Sequence, residues 1–283
     1  MKTQIVYSKQ DSTVKYVFQE NGFYNEFSWV DNGTPKDIVC ASCQTSCNMG
    51  CKFCFLSYVD LPVRNLSGER IFSYTRHIVE DRGPKNNILL VSYMGCGEPL
   101  NNIENVIESM NSLRGYFSDR YELVRFGLAT IMPSSSGVRK FIKLVKKNNL
   151  PVKLHLSLHA TDPDKRKYLI PGGIDISQSI NLLQAFREKT GNSVELHYSL
   201  INGFSDREDD INRLLSLIKK DKIPVKFLKY NDNSNEDLSG TEKEKILKYM
   251  SLLKDNGVFS EYYEPPGVDV GASCGQFLKE FYK

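Results

Sequence analysis

Two hydrophobic rhythms divide the chain, and the change between them comes near residue 37. Over residues 4–30 apolar and aromatic side chains gather in three short runs, 5–8, 14–18 and 25–29, broken by Gln10-Asp11-Ser12 and Asn21-Gly22. Short runs with turn residues between them predict strands joined as an antiparallel preface. From residue 38 onward, short apolar runs alternate with stretches whose apolar residues recur at helical spacing. That alternation predicts βαβ units and a parallel sheet.

Six such units follow. The first pairs a strand at 38–41 with a helix at about 68–80; the second pairs 87–93 with a helix carrying Ile103, Val106, Ile107, Met110 and Leu113. The third pairs 124–129 with a helix that has Val138, Phe141, Ile142 and Val145 on one face and Lys140, Lys143, Lys146 and Lys147 on the other. Strand 152–158 sets Leu154, Leu156 and Leu158 against His155, Ser157 and His159, and its helix, about 177–190, stops at Gly191. Strand 194–200 leads to a helix opened by Ser205-Asp206-Arg207-Glu208, and strand 224–228 to one opened by Thr241 to Glu244, both read as capping boxes. An extended piece, 258–263, and a loop carrying Cys274 end the chain. The expected class is α/β: a partial (β/α)6 barrel over residues 37–283, with residues 1–36 as a small antiparallel extension. In such barrels chemistry gathers at the C-terminal ends of the strands.

Composition narrows the class without changing it. With 283 residues, 40% apolar and 25% charged, the chain can bury one large core as a single domain. No apolar run approaches the roughly 20 residues that span a bilayer, and the first residues lack a signal-peptide core, so a cytoplasmic location without membrane contact is expected. A net charge of +3 permits a nucleic-acid partner but does not argue for one. Seven cysteines stand at 40, 43, 47, 51, 54, 96 and 274. In a cytosolic chain such a cluster points to metal binding or catalysis before disulfides.

Cys47, Cys51 and Cys54 form a CxxxCxxC run just beyond the first parallel strand. Three thiolates at this spacing suit three corners of a [4Fe-4S] cluster and leave one iron open, where S-adenosylmethionine (SAM) can bind. Structural zinc would need a second ligand pair that the chain lacks; a closed cluster would recruit Cys43 or Cys40. Beyond strand two, Gly95 and Gly97 allow close backbone approach to a ligand, and Glu98 suits an ammonium group. His77, His155 and His197 read as structural, and Cys43 and Cys96 as small buried residues.

Several motifs in order carry a resemblance to a known family. Residues 40–47, CASCQTSC, look like CxSSQxGC; 94–100, MGCGEPL, are similar to MGMGEPL; 157–160 read SLHA; and 272–276, ASCGQ, parallel AACGQ. Across roughly residues 13–278 the chain resembles the RlmN/Cfr family of radical-SAM RNA adenine methyltransferases. The usual N-terminal accessory domain of that family is expected to be absent.

The resemblance implies a radical-SAM barrel, a [4Fe-4S] cluster held by Cys47, Cys51 and Cys54, and SAM contacts from Gly97, Glu98, Ser157, Leu158, His159 and Asn231. A further SAM contact after strand three falls on either Thr130 or Ser134, because that loop carries an insertion. Cys274 would be the methylated cysteine, Cys40 its resolving partner, and Glu26 the acidic residue before the first cysteine. Implied partners are ribosomal or transfer RNA as substrate and an electron donor such as flavodoxin, acting on a monomer. Adenine C2 and C8 are not nucleophiles, so methylation there, at C2 before C8, needs a radical route through the protein thiol. A radical-SAM enzyme acting on a peptide or small molecule is the alternative.

Overall fold

The computed structural model describes residues 2–231 and 237–281. Ten strands form one sheet in sequence order. Strands β1 (Lys2–Tyr7), β2 (Val14–Glu20) and β3 (Phe23–Val30) are antiparallel, and β3 runs antiparallel to β4 (Asp37–Ala41). From β4 the pairing is parallel through β5 (Ile88–Tyr93), β6 (Leu123–Thr130), β7 (Val152–Ser157), β8 (Val194–Ser199), β9 (Val225–Leu228) and β10 (Ser260–Tyr263). The six expected parallel strands are present. The extended piece at 258–263 is a seventh, because its backbone pairs with the free edge of β9.

The helices lie between the parallel strands: α1 (Gly68–Arg82), α2 (Ile103–Tyr116), α3 (Ser135–Lys147), a short α4 (Pro163–Leu169), α5 (Ile176–Thr190), α6 (Glu208–Ile218) and α7 (Lys243–Asp255). In α3, Ser134 accepts from the Gly137 N–H and caps the first turn, while Val138, Phe141, Ile142 and Val145 are buried. Each such side chain contributes about 1.5–3 kcal/mol on burial; the four lysines of its other face are exposed. The helix expected at 177–190 ends at Gly191, whose φ of 72° is the left-handed stop. Two expected capping boxes are displaced. At α6 it is Asp210 that accepts from the Arg207 N–H, while the Ser205 hydroxyl bonds Ser199 and Ile201; at α7 the Thr241 hydroxyl bonds Asp206. In both cases the hydroxyl is drawn to a tertiary partner.

Along each strand alternate residues turn toward the helices or into the barrel. Val39, Val91, Phe126, Leu154, Leu196 and Phe227 face outward into the main core. The inward rows are polar, and above them the strand ends open into a cavity.

Candidate active site

The C-terminal ends of β4–β9 surround one cavity. Its wall includes Cys47, Cys51 and Cys54, then Gly97, Glu98 and Thr130, then Ser157, His159, Asn231 and Cys274. Residues from six separate loops and strand ends thus meet at one place, as the barrel rule requires.

The loop bearing the three cysteines is tied down on both sides. Cys43 and Gln44 N–H groups donate to the Cys96 carbonyl at 2.9 and 3.1 Å, and Lys52 N–H to that of Leu169 at 2.9 Å. Between these ties Cys54 N–H donates to the Cys51 carbonyl, a tight turn that keeps both residues at the cavity. Burial pushes the Cys47 thiol up to about 12 and the Cys54 thiol to about 11, and lifts Cys51 well above the ordinary thiol range. Each is raised further by the neighbouring thiols. Three thiols in so dry a place become thiolates only with a cationic centre among them. Cys43 is 1% exposed and its Sγ lies 3.5 Å from the Cys96 carbonyl, so it is turned from the cavity. The cysteine loop thus offers the cavity three soft sulfurs, which fits a cluster with one iron free of that loop's thiolates; the fourth cysteine of the wall, Cys274, comes from a separate segment.

Gly95 and Gly97 owe their identity to protein contacts. A Cβ on Gly95 would meet Ser42 Oγ at 2.6 Å, and one on Gly97 would meet the Gln44 side chain at 2.6 Å. Both glycines also line the cavity, and they seat the loop after β5 against the cysteine loop. Glu98 N–H then donates to Gln44 Oε1. The Glu98 carboxylate accepts from Thr130 Oγ1 at 2.6 Å and from the Leu100 and Ile131 N–H groups at 3.0 and 3.1 Å. Burial raises it to about 7 despite these bonds. It is a fixed carboxylate with no ion-pair partner among the described residues, suited to a cationic ligand. Of the two residues competing after β6, Thr130 stands in the cavity wall, whereas Ser134 is spent on capping α3.

At β7, Ser157 lines the cavity, Leu158 is buried in the core, and His159 takes a left-handed φ of 55°. That turn aims His159 Nδ1 at the Ser199 N–H, 2.9 Å away, and stacks the ring edge-on to Phe53 at 4.7 Å. Burial holds the imidazole neutral, so Nδ1 accepts and Nε2 carries the proton. Arg166, which the sequence reading missed, is 3% exposed and donates to the Ser157, Leu158 and Ile131 carbonyls, tying the ends of β6 and β7 together. Only its place one turn into α4 after SLHA could have drawn notice.

Cys274 comes from the opposite end of the chain. Residues 264–281 leave β10 and pass across to β2 and β3. Asp269 accepts from Ser8 and Lys9, and the Gly267 N–H donates to Asp11. Next to Cys274, Gly275 O accepts from Phe55 N–H at 2.8 Å, and a Cβ on Gly275 would meet Phe53 O at 2.8 Å. Asn231 Nδ2 donates to the Cys274 carbonyl at 3.1 Å. The Cys274 side chain is open to the cavity, while Cys40 lies half-buried on β4 close enough for the two thiols to interact electrostatically. Both are free thiols. Glu26 is buried; its Oε2 accepts from the Leu278 N–H at 2.8 Å and lies 3.7 Å from Lys15 Nζ. Burial raises it to about 7, and its Oε1 has no hydrogen-bond partner.

The lysine face of α3 lies elsewhere: Lys146 borders a crevice at the strand starts with Leu123, Pro151 and Asn192. Among the described residues no helix is long and apolar enough to cross a membrane.

Comparison with known proteins agrees with this geometry. The model of the radical SAM superfamily matches residues 42–215. A protein of Thermotoga sp. (strain RQ2) named "Probable dual-specificity RNA methyltransferase RlmN" is 33% identical over 273 residues, covering 95% of this chain and 76% of its own length. Its namesake in Thermosipho melanesiensis is 31% identical over 274 residues, covering 96% and 78%. A crystal structure of a radical SAM methyltransferase from Sphaerobacter thermophilus shares the fold, with a TM-score of 0.85 at 24% identity over 97% of this chain and 80% of that one. With a superfamily model matched over more than half its length and a relative one-third identical across nearly all of it, the chain belongs to the radical SAM superfamily and, within it, to the RlmN family.

Proposed function

We propose that this protein is a cytoplasmic radical-SAM methyltransferase that methylates a ring carbon of an RNA adenine, C2 rather than C8, by way of a methyl group carried on Cys274. The observation that carries the reading is the docking of Gly275 on Phe53 and Phe55, which sets the Cys274 thiol in the cavity of the three cluster cysteines. The substrate class is taken from the named RlmN relatives.

Cys47, Cys51 and Cys54 would hold the [4Fe-4S] cluster. Glu98 and Gly97 would bind the SAM amino group, with Ser157, Leu158, His159 and Asn231 around the rest of the molecule and Thr130 orienting Glu98. With an external electron donor such as flavodoxin, cluster and SAM supply a 5′-deoxyadenosyl radical when bound. Cys274 first accepts a methyl group on sulfur. After its S-methyl loses one hydrogen atom, Cys274 is joined through the methylene carbon to the adenine ring. Cys40, or Glu26 through its unpartnered Oε1, removes the ring proton. The adduct would also give up one electron, for which the bound cluster is the acceptor. Attack of Cys40 sulfur, as thiolate, on Cys274 sulfur then breaks the sulfur–carbon bond, whose electron pair takes up a proton to complete the methyl group, and leaves a Cys40–Cys274 disulfide by ordinary thiol exchange.

The test is anaerobic cluster reconstitution, incubation with methyl-labelled SAM and total RNA, and nucleoside mapping, with mass spectrometry of the peptide around Cys274. Labelled 2-methyladenosine and an S-methylated Cys274 are expected. An unmodified thiol together with unlabelled RNA overturns the reading.

A further inference from the structure

Below the cavity floor the barrel lumen holds a second group of chemistry-bearing side chains, which the proposed methyl transfer does not use. His155 on β7 and Glu195 and His197 on β8 all point inward, their side chains 6%, 2% and 7% exposed. One donor atom from each residue falls within 4.8 Å of the other two; His155 Nδ1 and His197 Nε2 are the nitrogens that face Glu195 Oε2. The two nitrogens lie 3.1 and 3.7 Å from that one oxygen, yet none of the three atoms completes a hydrogen bond of ordinary geometry.

That combination has a physical meaning. A hydrogen bond aims the N–H along the line to the oxygen, whereas two ligands of one ion both aim at a point between them. Zinc bonds of about 2.0–2.2 Å at tetrahedral angles place ligand atoms roughly 3.3–3.5 Å apart. The observed separations bracket that value. Three buried polar atoms without a well-formed hydrogen bond at one point are each costly, and a single ion at that point satisfies all of them.

The surroundings put the donors in the right state. Burial holds both imidazoles neutral, helped at His155 by His197, which brings it down to about 3, and at His197 by Lys226 and Lys153. Burial alone would raise Glu195, and the Lys226 cation beside it favours the ionised carboxylate. Lys153 Nζ sits 2.6 Å from Glu195 Oε1, which leaves Oε2 turned to the histidines, as an outer partner orients a metal-binding carboxylate. One group competes for the same oxygen: Lys226 Nζ lies 3.4 Å from Oε2, though it is closer, 2.8 Å, to Glu261 Oε1. Lys153 and Glu261 are 37% and 44% exposed, so the outer partners of the group stand at the solvent boundary.

We propose that His155 Nδ1, Glu195 Oε2 and His197 Nε2 bind one divalent transition metal of the zinc class beneath the cofactor cavity, with Lys226 displaced to Glu261. The donor set is two imidazoles and a carboxylate, a borderline nitrogen and oxygen site distinct from the sulfur site above it. His197 also lines the cavity, so the ion would lie against its floor. The site does not depend on what the cavity above modifies.

The test uses the cluster-reconstituted full chain, loaded with zinc and dialysed against a weak chelator, then measured by elemental analysis and zinc X-ray absorption. Expected are stoichiometric retained zinc and a first shell of nitrogen and oxygen only at about 2.0–2.1 Å. His155→Asn and His197→Gln should each lower zinc affinity by at least about tenfold while iron content and thermal melting stay near wild type. Lys226→Met, which removes the competitor, should raise it. No retained zinc in both the wild type and Lys226→Met overturns the proposal and leaves an ordered water among the three atoms. A sulfur shell at about 2.3 Å, meaning zinc in vacant cluster cysteines, overturns it as well. The absorption measurement needs no variant, so a misfolded histidine mutant does not blunt it.

Discussion

The parallel and antiparallel sides of the barrel contribute to the same cavity by different means. On the parallel side the cavity residues lie at strand ends or in the loop that leaves β4, and local turns and bonds aim them: the Cys51–Cys54 turn, the Glu98 bonds to Thr130 and Ile131, the left-handed His159. On the antiparallel side no strand end delivers a thiol. Cys274 is held by contacts across more than 250 residues of sequence, chiefly Leu278 N–H to Glu26 and Lys15 to Glu280. Cofactor-facing residues can thus be fixed by short motifs, but the thiol carrier depends on a chain end that must be anchored from outside.

Breaking each side separately should give opposite losses. Cys51→Ala is expected to remove the cluster, read as lost iron and lost visible absorbance, and with it all activity. Cys274→Ala is expected to abolish RNA methylation completely while iron content and SAM binding persist. If Cys274→Ala also lost its iron, the two sides would not be separable.

The anchor comes next in size. Glu26→Ala removes the acceptor of a buried N–H and one partner of a buried Lys15 pair, a change worth about 3–5 kcal/mol. Hydrogen exchange should localise the loosening to residues 270–281, with β5–β8 protected as before. A uniform loss of protection would mean that Glu26 supports the whole barrel.

Glu98 offers a sharper test of the parallel side. A carboxyl raised to about 7 is ionised only above that pH, and an ammonium ligand requires the ionised form. SAM affinity should therefore be full above pH 7 and fall about tenfold per unit below it, a dependence that Glu98→Gln should erase. Folding of the ligand-free protein runs the other way. An acid raised in the folded state favours folding below about 4.5, its ordinary value, and that contribution is lost as pH rises through 7. Urea midpoints across that range check the sign.

The smallest effects separate two neighbouring hydroxyls. Ser134→Ala should cost about 1 kcal/mol through the lost cap of α3 and leave SAM binding unchanged. Thr130→Val should cost about as much in stability but weaken SAM binding, because it frees Glu98.

Much of this arrangement was legible from periodicity and spacing. The six parallel strands, their helices and the gathering of cysteines, Glu98, Ser157, His159 and Asn231 at one barrel end follow from the alternation of rhythms and the strand-end rule. The misses share one cause. β10, the displaced caps at α6 and α7, and the carbonyl contacts of Arg166 all depend on what stands opposite a residue in space. Single histidines on neighbouring strands carry no motif; adjacency of β7 and β8 places the nitrogens of His155 and His197 around one carboxylate oxygen.

By itself the sequence determined the elements, the order of the parallel strands and the identity of the sulfur donors, since those are set by local hydrophobic period and by spacing within a loop. Only the tertiary structure decided that Thr130 rather than Ser134 reaches the cavity, that Glu26 anchors the segment carrying Cys274, and that three polar atoms meet below the floor. Those facts rest on sheet register and long-range hydrogen bonds, which arise when distant segments are forced to satisfy one another's buried groups.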